Sequence, residues 1–172
     1  METPASIQKH PIHPMLITLP IGLWIFSLVS DVIYAARWGD ALWNVVAFRT
    51  MAGGLVCALI AAVPGFIDLF SLRDAQLKKV ALTHMSMMLA VVVLFAVNLW
   101  LRTREAPGSA LPIGLSVIAI VLMSASGWIG AELVHRHGVG VATEADMRST
   151  APRPSPRPEL PRELRRQWPQ PR

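Results

Sequence analysis

The stretch Met-Leu-Ile-Thr-Leu-Pro-Ile-Gly-Leu-Trp-Ile-Phe-Ser-Leu-Val-Ser-Asp-Val-Ile-Tyr-Ala-Ala, residues 15 to 36, decides the fold class. Its roughly 22 residues give ~33 Å of helix at 1.5 Å per residue, enough to cross a hydrocarbon core of ~30 Å. Pro14 stands just before it, where a helix needs no donor from its first turn. The run is longer than the apolar core of a leader peptide and contains Pro20 and Asp31, so it is expected to remain as an anchor rather than be cleaved. Along a helix, His13, Ile17, Pro20, Trp24, Ser27 or Leu28, and Asp31 fall on one stripe, which predicts that this face looks into a bundle.

Three further runs of the same kind follow, at about 45–67, 80–101 and 110–134. The expected architecture is therefore an all-α integral membrane bundle of four transmembrane helices over residues 1–141. Composition agrees: 53% of the 172 residues are hydrophobic and 16% charged, with a mean hydropathy of +0.45, too apolar for an ordinary soluble domain. From Ala142 onward Pro and Arg alternate with little to bury, which predicts a disordered basic tail over 142–172. The net charge of +5 comes largely from that tail. Its arginines are not interleaved with aromatics on a folded face, so the expected counter-charge is an anionic lipid surface or an acidic partner and not nucleic acid. Cys57 is the only cysteine, which rules out an intrachain disulfide and any cluster held by several thiolates.

In the second run, Gly54, Ala58, Ala61, Gly65 and Asp68 recur at steps of four and three, predicting a nearly bare packing face that ends in a carboxylate. In the third, His84, Met88, Val91, Phe95 and Asn98 share a stripe, with Met85, Met87 and Met88 expected to act as adaptable packing. Residues 66–79 read as a connector and 102–109 as a loop. No broken-helix repeat is evident between the halves, so transport has no support. Nor is there a phosphate-cradling Gly-Lys-Ser/Thr loop or a Gly-x-Ser-x-Gly nucleophile turn.

An even number of spans puts both termini on one side together with the 66–79 connector. That side carries Lys9, Arg73, Lys78, Lys79, Arg136 and the tail arginines, against Arg37, Arg49, Arg102 and Arg104 on the other. The positive-inside tendency then predicts cytoplasmic termini in a bacterial inner membrane. Every histidine, His10, His13, His84, His135 and His137, falls at that same edge, with Asp68 and Glu132 at a similar depth. The stretch Gly127–Val141 closes the last span there, and Ser126 just before it and Gly130 within it, four apart, leave room for a close neighbour or a flat ligand.

Three chemistries are open to such a rim. Imidazoles from separate helices can hold haem b through His13, His84 and His137, with His84 the best single candidate and Lys78, Lys79 or Arg136 near the propionates. The same histidines with Asp68 and Glu132 can hold a divalent metal. Otherwise the imidazoles are structural, in a scaffold that binds partners without catalysis.

The residues His13-Pro14-Met15-Leu16 with Pro20-Ile21-Gly22, then Asp31, His84, Asn98 and Gly127–Val141, resemble an uncharacterised bacterial membrane family, the domain of unknown function 2231. The resemblance runs from about His10 to Val141. It implies four transmembrane helices and, because relatives are joined to Rieske iron–sulfur or cytochrome c modules, electron-transfer company. Some members have a second histidine where this chain has Thr18. No Rieske ligand pattern follows the fourth span here, so a redox partner protein would be a separate chain.

Overall fold

The computed structural model describes residues 4–7, 10–136 and 138. The first compact unit is Met1–Ala142. The second, Thr143–Arg172, which contains most of the expected disordered tail, lies outside the described residues, as does His137.

A two-stranded antiparallel hairpin, β1 (Ser6–Ile7) and β2 (His10–Pro11), precedes five helices: α1 (Ile12–Leu16), α2 (Thr18–Ala35), α3 (Leu42–Ser71), α4 (Ala75–Leu101) and α5 (Ala110–His135). Helices α1 and α2 together form the first span, so four helical segments are long and apolar enough to cross a membrane. The break between α1 and α2 follows from Pro20, whose ring nitrogen cannot donate to the Leu16 carbonyl. Ile17 bridges it, donating to His13 O at 3.1 Å and accepting from Ile21 N at 3.3 Å.

The turns have local causes. Arg37 ends the first span with a left-handed φ of 59°, and Asp40 Oδ1 then accepts from Leu42 N at 3.0 Å to start α3. Between α3 and α4 only residues 72–74 are non-helical, so the long connector expected over 66–79 is corrected. The polar residues there do not break the helices. Asp68 Oδ1 accepts from Ala5 N at 3.0 Å, and Asp74 caps α4 by accepting from Leu77 N at 2.8 Å. At the last loop Gly108 takes φ 78° beside Tyr34.

Burial is inverted relative to a soluble protein. Less than a third of each apolar span window is buried, and Leu59, Ile60, Val63, Phe70, Val121 and Trp128 face outward. Such an apolar girdle contacts the bilayer, so what holds the helices together is close packing and polar bonding. The interior core joins Trp24, Met51, Ala58, Val91, Phe95, Ala119 and Met123. A smaller cluster of Leu69, Leu72, Ala81 and Leu133 closes the end that bears the histidines. The expected stripes are the ones buried: Pro20, Trp24, Ser27 and Asp31 on α2, Val91, Phe95 and Asn98 on α4.

Candidate functional site: two imidazoles in a duplicated hairpin

His13 and His84 sit in the same setting on different helices. His13 Nδ1 lies 2.8 Å from the carbonyl oxygen of Ala61 on α3, and His84 Nδ1 lies 2.9 Å from that of Ser126 on α5. A carbonyl can only accept, so each Nδ1 donates its proton there, and in the neutral ring Nε2 is then the nitrogen that keeps a lone pair. One helical turn beyond each acceptor stands a glycine. A Cβ on Gly65 would lie 2.9 Å from His13 Nδ1, and one on Gly130 would lie 2.9 Å from His84 Cε1. Glycine is what lets each ring come this close to its neighbouring helix.

The parallel extends over the whole bundle. Asp31 and Arg102 are 71 residues apart, and at that same step His13 matches His84, Trp24 matches Phe95 and Ser27 matches Asn98. On the partner helices Ala47, Gly54, Ala61 and Gly65 match Pro112, Ala119, Ser126 and Gly130, again at one constant step. The bonds repeat as well: Ser27 Oγ donates to Ala47 O at 2.8 Å, and Asn98 Nδ2 donates to Pro112 O at 2.8 Å. Sequence separation contracts from 20 to 14 at this bond and from 48 to 42 at the histidines. An equal contraction at both ends is what a rigid repeat joined by a different loop requires. The halves thus share one hairpin layout, in which the first span is broken between α1 and α2 and the matching α4 is continuous.

Equivalent residues of the two copies meet one another. Trp24 stacks on Phe95 with centroids 4.3 Å apart. Asp31 and Arg102 form a two-pronged, nearly fully buried ion pair, Arg102 Nη1 donating to Asp31 Oδ1 at 2.7 Å and Nη2 to Oδ2. Arg102 Nε adds a bond to Asn98 Oδ1 at 3.2 Å, while Asn98 Nδ2 also reaches Ser116 Oγ at 2.8 Å. The two imidazoles, bonded to Ala61 and Ser126, occupy the opposite end of this line.

The copies differ in detail. Ser126 Oγ lies 3.0 Å from His84 Nδ1 and donates to the His84 carbonyl at 3.2 Å, a clamp that Ala61 cannot supply to His13. Trp24 fits over Gly54, where a Cβ would stand 2.5 Å from its Nε1, whereas the smaller Phe95 packs in the same core as Ala119. Trp24 Nε1 is the one buried side-chain nitrogen or oxygen without a hydrogen-bond partner among the described residues.

The remaining candidates are placed apart from the pair's bonding. Asp68 is engaged by the N-terminal hairpin through Ala5. Glu132 accepts from Arg136 at 2.5 Å in an exposed pair one turn apart on α5. Among the described residues no group of three or more His, Cys, Asp or Glu side chains is placed to share a metal ion. In the Gly127–Val141 stretch, Gly130 carries the imidazole contact and Gly138, just past the end of α5, takes a left-handed φ of 61°. Gly127 and Trp128 face outward. The sequence places Ala61 on a packing face, Ser126 beside room for a close neighbour and Arg102 in a loop, but does not reveal the bonds they make to His13, His84 and Asp31. The signal for Arg102 was its recurrence at the histidine spacing.

Comparison with curated proteins and with solved structures returns no match. A family model described as predicted membrane protein, DUF2231, matches residues 9–143, a span that takes in both hairpins and both imidazoles, and the chain belongs to that family.

Proposed function

We propose that the chain is a haem-binding subunit of the bacterial inner membrane, with His13 and His84 as its protein ligands and a separate redox protein as its partner. The observation that carries this reading is the Nδ1–carbonyl bond made by both rings. Metal-ligating histidines are held in this way, one nitrogen donating to a carbonyl so that the other presents its lone pair in a fixed direction. Donor count favours haem over a bare ion: zinc takes three or four protein ligands, whereas a macrocycle supplies four nitrogens and asks the protein for two at most. Asp68 and Glu132 already have partners, which leaves His13 and His84 as the ligands this reading rests on, with His137 outside the described residues.

Haem, when bound, supplies one-electron chemistry. The chain's own residues hold and orient: Ala61 and Ser126 fix the tautomer, Gly65 and Gly130 admit the rings, and Lys78, Lys79 and Arg136 are the cations available to propionates at this end. With the charge bias of the sequence, this end and both termini are cytoplasmic. The test is a visible spectrum of the full chain purified in mild detergent from haem-replete cells. A Soret band lost in both His13→Ala and His84→Ala supports the reading; a colourless preparation ends it.

A further inference from the structure

At the end opposite the histidines a cleft of about 430 Å³ opens between the first half of α3 and the loop joining α4 to α5. Two guanidiniums line it, those of Arg49 and Arg102, and one carboxylate, that of Asp31, leaving one positive charge in excess. Asp31 is fully taken up by Arg102. Arg102 itself has five N–H groups, of which three are committed to Asp31 and Asn98. Arg49 is exposed and has no carboxylate partner among the described residues. Glu105, on the same loop, accepts from Ser109 at 3.4 Å and does not line the cleft.

Arg49 stands about two turns inside α3, ~10 Å from its start. A cation at that depth is costly unless it reaches the interface or meets an anion. The cleft offers a place for such an anion. Asn44 adds a polar group, while Val45, Phe48 and Ile113 supply apolar walls, and Val45 is itself on the lipid-exposed surface. An anion there must therefore be polar at one end and greasy at the other.

We propose that this cleft binds the phosphate of a membrane phospholipid, Arg49 and the uncommitted N–H groups of Arg102 holding the headgroup while its chains lie along Val45 and Phe48. The site is independent of any ligand at the histidines. Native mass spectrometry of the full chain released from mild detergent, titrated with phosphatidylglycerol, reads it directly. Wild-type protein should retain one lipid at concentrations where Arg49→Gln retains about five-fold less, the effect of one cation near a headgroup. Arg49→Lys should keep most of the binding. Arg49 is exposed, so these variants leave the fold intact, which circular dichroism checks on the same samples. Equal retention by Arg49→Gln overturns the proposal, and so does displacement of the lipid by excess inorganic phosphate, which would make the site one for the free anion.

Discussion

Trp24 and Phe95 lie face to face at the centre of the bundle, their planes 13° from parallel, and they are the same position in two copies of one hairpin. The indole sits over Gly54, and the phenyl shares its core with Ala119, the residue that matches Gly54. A methyl added at Gly54 would strike the indole at 2.5 Å. Gly54→Ala should therefore destabilise the bundle by about 1–3 kcal/mol, the usual cost of overpacking. Adding Trp24→Phe rebuilds the Phe-over-Ala arrangement of the other copy and should recover most of the loss. Thermal unfolding of both variants in one detergent checks this, and a double variant no more stable than the single would refute it.

The Asp31–Arg102 pair is almost completely buried, where removing one partner strands the other charge. Asp31→Asn should cost about 3–5 kcal/mol. The exchanged pair, Asp31→Arg with Arg102→Asp, should recover only part of that, because Arg102 also bonds Asn98 and the matching residue on α2 is Ser27, a shorter side chain. Detergent melts of the three proteins give the order: wild type, then exchange, then Asp31→Asn.

Glycines at the imidazoles should behave unlike those on the outer surface. Gly65→Ala and Gly130→Ala place a methyl within 3 Å of a ring and should each cost about 1–3 kcal/mol, with loss of whatever the ring binds. Gly22, Gly114 and Gly127 have no neighbour within 4 Å of a built Cβ. Alanine there should be neutral or stabilising by up to about 1 kcal/mol, as for any exposed helical glycine. Equal losses at both sets would mean that the ring contacts do not set the response.

Topology is open to labelling. In a background with Cys57 replaced, cysteines at Ile7 and Arg73 should react from one side of a sealed vesicle and cysteines at Trp38 and Arg104 from the other. A split within either pair would remove one of the four spans.

The spans were legible because lipid imposes long apolar runs, and the inward stripes because polar residues recur on them at helical spacing. The ends of α3 and α4 were not. Asp68, Arg73 and Asp74 look like a loop when read by hydropathy, yet Asp68 is satisfied by the Ala5 amide and Asp74 caps the next helix. At the histidine end the contacts of His84 are to Ser126 and to Gly130 of the Gly127–Val141 stretch, while Gly127 and Trp128 of the same stretch are turned outward, a division that composition alone does not show. The duplication was hidden because most matched positions hold unlike residues: Trp with Phe, Ser with Asn, Asp with Arg. Of the bonded and buried pairs only the histidines and the final glycines kept their identity, and those alone do not stand out in a chain this rich in small and apolar residues.

That divergence has a consequence for assembly. Two identical hairpins associating about a dyad would set acid against acid, or guanidinium against guanidinium, at the loop end, and indole against indole in the middle. Tethering the copies in one polypeptide lifts the requirement that both protomers be the same. An acid can then oppose its own base across the axis, a large ring can oppose a smaller one, and the joined molecule fixes which face of each hairpin meets the other.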